Sequence, residues 1–306
     1  MSLAAQFHEY GSIDSLRVVD VSPPTAGPGQ VRLAVRAAGV APVDWKILHG
    51  HLGRVAPSRL PLGLGFDVAG VVDQVGAGVA DLRVGDEVLG AAATPSFAQS
   101  ALADPAVLVA KPASVPWEVA GTLAGSGITA WEVLNELRVT EGETLLVHAA
   151  AGGGVGTFAV QMAVARGARV IGTASERNHE RLRSFGAEPV AYGAGLVERV
   201  RALSPGGVDA VLDASGRGEI PDSVELAGGP SRVLSVVVQD PAGTGIRTHV
   251  TQPAVDGREA LRDVLALIEA GRLRVPIAGT HPLDEAAAAL EASRAGHVSG
   301  KLVLLP

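Results

Sequence analysis

The chain contains no cysteine in 306 residues. That absence excludes disulfides, thiolate nucleophiles and every zinc site built on sulfur. It also lacks any block of like charge, the formal net charge of −7 being spread along its length. A nucleic-acid patch or an anionic-membrane surface needs clustered Lys and Arg, so neither partner is expected. No apolar run approaches the ~18–20 residues that cross a bilayer. Residues Met1 to Tyr10 lack the basic, apolar, then small-residue order of a secretory signal. A cytoplasmic location is therefore expected. Aromatic residues make up only 3%.

What the chain does have is apolar bulk and glycine. Apolar residues account for 47%, ample for a sizeable core, and there are 39 glycines, which fall at the ends of expected elements. At roughly 100–200 residues per domain, the length suggests two domains. The first third reads as β: alternating runs such as Val31-Arg32-Leu33-Ala34-Val35 and Val68-Ala69-Gly70-Val71-Val72 lie between Gly/Pro turns. From about Val119 the rhythm changes. Short apolar strands at Thr144–His148, Ala168–Thr173, Ala187–Ala191, Ala210–Asp213 and within Ser231–Val238 alternate with helical stretches at Val155–Arg166, Glu176–Phe185 and Leu196–Leu203. Such alternation calls for a parallel sheet with right-handed crossovers. The tail changes again, with amphipathic helices at Arg258–Ala270 and Leu283–Ala295 and a last strand at Gly300–Leu304. This predicts boundaries at 1–120, 121–255 and 256–306, the last segment returning to the first domain.

The strongest single signal is Ala150-Ala151-Gly152-Gly153-Gly154-Val155-Gly156, directly after one expected strand and before a helix. Glycines let the backbone approach a pyrophosphate, and the helix N-terminus offers it free N–H groups and a positive dipole end. Gly153, Gly154 and Val155 are the expected phosphate-binding positions. An NAD site carries Asp or Glu at the end of the second strand, bonded to the ribose 2′-hydroxyl. Here neutral Ser175 takes that place and Arg177 follows, with Glu176 between them as the opposing charge. A 2′-phosphate would be attracted by that cation and repelled by a carboxylate, so NADPH is the expected cofactor.

With these motifs in place, the chain resembles the medium-chain dehydrogenase/reductase superfamily, closest to its zinc-free quinone oxidoreductase branch, which includes ζ-crystallin. The resemblance spans nearly the whole chain. It rests on Gly65-Phe66-Asp67-Val68-Ala69-Gly70-Val71-Val72, Val75-Gly76, Val84-Gly85-Asp86-Glu87-Val88, Gly127-Ile128-Thr129-Ala130-Trp131, the glycine turn, Thr173-Ala174-Ser175 and Gly300-Lys301-Leu302-Val303-Leu304. It implies an α/β protein in which a Rossmann-type doubly wound parallel sheet lies between the halves of a GroES-like, mainly β barrel-like catalytic domain, with the active site in the cleft. It implies a homodimer formed through an edge strand, for which Gly245 to Val250 is the candidate. It also implies cofactor contacts from Pro42 and Val43, a place beside the nicotinamide for Thr129, or else a helix-stabilising role, and a 2′-phosphate or adenine contact from Tyr192, or else packing. Ser215 and Val236 follow the fourth and fifth strands, where open α/β sheets place ligands. The glycine turn is one residue longer than the usual family run.

Zinc members of the superfamily carry Gly-His-Glu where this chain has Gly65-Phe66-Asp67, and a zinc-binding Cys where it has Ala41. Phe66 cannot ligate a metal, and the eight histidines show no ligand spacing. A metal-free reductase must hold the nicotinamide against the acceptor carbon, exclude water and offset charge on the carbonyl oxygen. The segment Asp44-Trp45-Lys46 occupies the family's active-site stretch. Asp44 is a candidate to orient the carboxamide, the ribose or a water, or else to cap a helix. Lys46 is a candidate donor to an enolate or quinolate oxygen, or else a solvated charge. Trp45 is a candidate apolar wall, or else core. Relatives carry Asn at Ala41 and Tyr at Lys46, so protonation by water is the expected route. The expected activity is hydride transfer from NADPH to a quinone or α,β-unsaturated carbonyl. The alternatives are an enoyl-thioester reductase of a polyketide-type pathway and a non-catalytic NADPH-binding protein. Gly50 to Pro61 and Gln239 to Pro253 are expected to shape the substrate pocket.

Overall fold

Alternation of buried and exposed side chains builds the first strands. The computed structural model describes residues 1–51, 60–237, 243–249, 257–296 and 298–306. Within them β1 (Ser2–Phe7) pairs antiparallel with β2 (Leu16–Val21). Strand β3 (Val31–Val40) buries Val31, Leu33 and Val35 and runs into helix α1 (Pro42–Leu48). There follow β4 (Leu62–Gly63), β5 (Asp67–Val75), β6 (Glu87–Ala91), β7 (Ser100–Ala103), β8 (Leu108–Ala110) and the short helix α2 (Trp117–Ala120). Strands β3 and β5 pair antiparallel with register shifts at Arg32/Leu33 and Val35/Ala37. Such bulges bend and twist a strand pair, as a closed or half-closed sheet requires.

Beyond Ala124–Ile128, a single π-helical turn, the chain forms α3 (Thr129–Glu136), β9 (Thr144–His148), α4 (Val155–Ala165), β10 (Arg169–Thr173), α5 (His179–Ser184), β11 (Glu188–Val190), α6 (Leu196–Leu203), β12 (Ala210–Asp213), α7 (Ile220–Leu226), β13 (Val233–Ser235) and β14 (Arg247–Thr248). The six strands are all parallel, in the order β11-β10-β9-β12-β13-β14. Numbered within the sheet, that is 3-2-1-4-5-6, the doubly wound nucleotide-binding order. Leu145, Leu146 and Val147 of central β9 are fully buried, as expected of a strand covered on both faces. Edge strand β14 lies in the segment expected to form the sheet edge, although Val250 is outside the described residues. The helical stretch expected from Glu176 begins as a 3₁₀ turn at Glu176–Asn178 before α5.

Helix α8 (Gly257–Glu269), β15 (Ile277–Pro282), α9 (Ala286–Ala295) and β16 (Lys301–Leu305) complete the chain. β16 pairs antiparallel with β3 and parallel with β15, joining the last strands to the first sheet. Two compact units result: Met1–Gly125 with Val255–Arg262 and Val275–Pro306, and Ser126–Ala254 with Asp263–Arg274. The first has a core around Phe7, Leu33, Val68, Phe97, Leu290 and Leu304. The second has one around Leu146, Ile171, Val200, Val211 and Val233.

These limits differ from those read off the sequence in two places. The first unit extends to Gly125, whose N–H donates to Asp67 Oδ1 at 2.5 Å. Residues 263–274 belong to the second unit. Trp131 Nε1 donates to Asp263 Oδ2 (2.8 Å), and the Gln161 amide bonds both backbone groups of Arg274 (3.0 and 2.8 Å). The proposed pocket stretches, Gly50 to Pro61 and Gln239 to Pro253, lie largely outside the described residues.

Candidate active site

In the second unit, β9 ends at His148 and the chain turns at once. Ala149 adopts φ 55° and Gly153 φ 88°, both left-handed. Thr157 locks the turn: its hydroxyl accepts the Gly153 N–H (2.9 Å) and donates to the Ala150 carbonyl (3.1 Å). Helix α4 then begins at Val155, with Gly154 as a cap that contributes no side-chain hydrogen bond and no acidic residue in its first turn. The N–H groups of Val155 and Gly156 have no carbonyl partner within the helix. Free N–H groups and the positive end of the helix dipole have the chemistry that suits an anion.

The glycines fit a dinucleotide there. A Cβ on Gly156 would lie 2.5 Å from the Ala149 carbonyl oxygen, so glycine is what allows α4 to close against the end of β9. A Cβ on Gly154 would meet nothing within 4 Å, leaving open space before the helix N-terminus. A pyrophosphate needs such an approach.

Ser175 and Arg177 follow β10. The Ser175 oxygen accepts from Asn178 Nδ2 (3.2 Å), which leaves its hydroxyl hydrogen available to a ligand. Arg177 is exposed on the 3₁₀ turn and makes no ion pair among the described residues. Tyr192 follows β11, 40% exposed. Its loop is fixed by Arg199, whose guanidinium donates to the carbonyls of Ala191, Gly193 and Ala194 (2.8–3.0 Å).

Ser215 follows β12 and is part of a buried polar network. Asp213 is 1% exposed and accepts from the Ser215 N–H (2.8 Å), the Gly216 N–H (3.1 Å) and Ser235 Oγ (2.9 Å). The Ser215 hydroxyl lies 2.9 Å from Asp213 Oδ1 and 2.6 Å from Glu219 Oε2. Val236 follows β13, its N–H bonded to the Asp213 carbonyl (3.0 Å). His148 is fully buried between Thr173 Oγ1 (3.3 Å) and Ser223 Oγ (2.9 Å), and burial pushes its imidazole down, towards the neutral form. Thr129 opens α3 and is buried. The structure thus gathers Gly153, Gly154, Val155, Ser175, Arg177, Tyr192, Ser215 and Val236 at the C-terminal ends of one parallel sheet, where open α/β sheets bind ligands.

In the first unit, α1 carries Pro42, Val43, Asp44, Trp45 and Lys46. Asp44 is turned inward rather than towards solvent. Its two oxygens accept the Ala41 N–H (2.8 Å) and the Gly65 N–H (3.1 Å), so the carboxyl group ties the start of α1 to the turn before β5. Burial raises its pKa from the ordinary 3.8 to about 7 against those two donors. The role of orienting a cofactor group or a water does not suit a carboxyl group committed to the backbone in this way. Trp45 is half-buried, its Nε1 is enclosed, and its ring meets the edges of His49 and His51 at 6.0 and 5.8 Å between centroids. Lys46 Nζ stands 5.8 Å from the Trp45 ring centre. Val43 and Phe66 are exposed, at 39% and 38%. No group of three metal-ligating side chains converges among the described residues.

Beneath α1 lies a pair not expected from the sequence. Asp67 and Lys301 are 3% and 4% exposed, with Nζ 3.8 Å from Oδ2. Both sit in quoted family motifs, but nothing in a one-dimensional string shows that β5 and β16 bring them together. The lock by Thr157, the Arg199 clasp and the Asp213 network were likewise missed, because the sequence does not show that these side chains turn back onto nearby backbone or, for Asp213, meet Ser235 from the next strand.

Comparisons with known proteins add to this geometry. Residues 27–128 match the family model described as "Alcohol dehydrogenase GroES-like domain", and residues 185–304 match "Zinc-binding dehydrogenase". The chain is 30% identical to a chloroplast envelope quinone oxidoreductase homolog of Arabidopsis thaliana, over 99% of this chain and 98% of that one. It is 34% identical to the spectinabilin polyketide synthase system protein NorB of Streptomyces orinoci, over 96% of this chain but 14% of that protein. Among solved structures, Escherichia coli quinone oxidoreductase complexed with NADPH superimposes with a TM-score of 0.88 at 27% identity, covering 99% of this chain and 100% of that one.

Proposed function

The chain belongs to the medium-chain dehydrogenase/reductase superfamily, in its zinc-free quinone oxidoreductase branch, and we propose that it is an NADPH-dependent reductase of a quinone or α,β-unsaturated carbonyl compound that works without zinc. The observation that carries the cofactor is the glycine turn: Gly156 sealed against Ala149, Gly154 open before an uncapped helix N-terminus, and neutral Ser175 at the ribose position. Bound NADPH supplies a hydride from its nicotinamide C4. The remaining tasks fall to the protein. The N-terminus of α4 holds the pyrophosphate. Ser175 donates towards the 2′-phosphate without repelling it. Of the α1 trio, Asp44 is committed to backbone and the indole N–H of Trp45 is enclosed, so Lys46 is the donor left to stabilise charge on the acceptor oxygen. Water then delivers the proton to the enolate or quinolate.

Zinc independence rests on Phe66 and Ala41, neither of which offers a donor atom where zinc members place ligands. The likeness to a polyketide synthase segment supports a second reading, reduction of an enoyl-thioester on the same site. A panel of quinones, alkyl enones and enoyl-thioesters, run with NADPH and a chelator throughout, separates them. Turnover of quinones or enones with chelator present is expected. Turnover of thioesters alone favours the second reading, and activity restored only by zinc defeats the metal-free one. The exposed edge of β14 is the proposed contact of a homodimer, which sedimentation tests.

A further inference from the structure

Arg217 lies in none of the motifs that carry the family resemblance, yet it rests on Tyr192, an expected cofactor contact. Its guanidinium carbon stands 4.8 Å from the ring centre of Tyr192. Tyr192 follows β11 and Arg217 follows β12, and in the sheet these strands flank the pair β10-β9. Three inter-strand steps of ~4.8 Å separate them, roughly 14 Å in all. For the two side chains to meet, their loops and stems together must bridge that span beyond the C-terminal ends of β10 and β9. Those ends carry Ser175 and the glycine turn. The Arg217–Tyr192 stack therefore arches over the path of the adenosine half of the cofactor.

The arch is anchored on both sides. Arg199 clasps the Tyr192 loop through three carbonyls. On the other side the Arg217 N–H donates to Ser215 Oγ (3.1 Å), and Ser215 is held in turn by Asp213. The acid nearest in sequence, Glu219, is buried and turned towards Ser215. Arg217 itself is exposed and makes no ion pair among the described residues. Arg177, by contrast, has no ring or hydrogen-bond contact among the described residues to hold it. A cation already stacked in place loses less freedom on binding than one that must be gathered from solvent.

We propose that Arg217, stacked on Tyr192, is the principal cation for the cofactor's 2′-phosphate, with Arg177 in a lesser role. This rests on NADPH being the cofactor. NADPH and NADH are titrated by nucleotide fluorescence or calorimetry into the wild type, Arg217→Ala, Arg217→Lys and Arg177→Ala. For Arg217→Ala, NADPH affinity is expected to fall roughly tenfold to a hundredfold while NADH affinity stays within about twofold. Arg217→Lys should recover part of the loss, and Arg177→Ala should lose less than Arg217→Ala. Because NADH binds the same fold, its unchanged affinity reports an intact site. A wild type with no preference for NADPH overturns the cofactor reading. A wild type that prefers NADPH and keeps that preference in Arg217→Ala overturns this proposal alone, as does an equal loss for both nucleotides.

Discussion

The carbonyl oxygen of Ala149 occupies the space that a side chain on Gly156 would need: a Cβ there would sit 2.5 Å away. Two residues earlier, Gly154 faces nothing within 4 Å. The two glycines should therefore fail in different ways. Gly156→Ala pushes backbone against backbone and should lower stability by about 1–3 kcal/mol, read as a lower melting temperature without any nucleotide. Gly154→Ala should leave melting almost unchanged but weaken NADPH roughly tenfold, about 1.4 kcal/mol, because its methyl group enters the space for the pyrophosphate. Equal losses of stability in both variants would contradict this division.

Asp44 makes stability depend on pH. Its pKa rises from 3.8 in the unfolded chain to about 7 in the fold, because burial outweighs the two backbone donors. The fold thus holds a proton that the unfolded chain releases. Its contribution is fully present below the unfolded value, declines as pH rises from 3.8, and is gone above about 7. Asp67, also raised by burial, acts in the same sense. Chemical unfolding at pH 5 and pH 8 should find the protein more stable at pH 5, and Asp44→Asn should reduce that difference. A variant with the slope of the parent would remove Asp44 as its source.

Lys46 is expected to act in the transition state. Lys46→Met keeps the length of the side chain and removes the charge. The rate constant kcat should fall by about 10²–10³, the usual effect of losing one such donor, while NADPH affinity is retained. The reason is that a contact formed only as charge develops does not affect ground-state binding. Turnover within a factor of about two of the parent would show Lys46 to be a solvated charge resting on Trp45.

The nucleotide half of the molecule was legible because its signals are local. A five-residue apolar strand, a glycine turn and an apolar helix occur consecutively from Thr144 to Ala165, and each implies its neighbour. Alternation between strand and helix then gives the parallel sheet. The barrel-like half was legible mainly through resemblance, since its strands are short and pair across long separations, as Leu302 does with Val40. Inward or outward direction was the part that could not be read. Asp44 was weighed as a working carboxylate or a helix cap; it does bond the Ala41 N–H at the start of α1, but its second bond, to a turn 21 residues away at Gly65, could not be read. Arg217 was passed over because its significance depends on Tyr192, which the chain reaches 25 residues earlier and the sheet places three strands away.

Asp67 and Lys301 present the sharpest energetic case. Both are almost wholly buried, Oδ2 of Asp67 has no hydrogen-bond partner among the described residues, and Lys301 Nζ is 3.8 Å from it. Burial raises the Asp67 pKa and Lys301 opposes the rise, so the lysine is what keeps the carboxylate tolerable there. Removing one member of a buried pair leaves an uncompensated charge and typically costs about 3–5 kcal/mol, whereas replacing both can be nearly neutral. Lys301→Met should therefore destabilise the protein strongly, and more so at high pH, where the stranded Asp67 would ionise. The double variant Asp67→Asn with Lys301→Met should recover much of that loss, because Asn keeps an oxygen for the Gly125 N–H and carries no charge. Urea unfolding of the two single variants and the double at pH 6 and pH 8 supplies the comparison. A double variant no more stable than Lys301→Met would mean that the pair stabilises through packing rather than charge, and that the lysine stem is what β5 and β16 require.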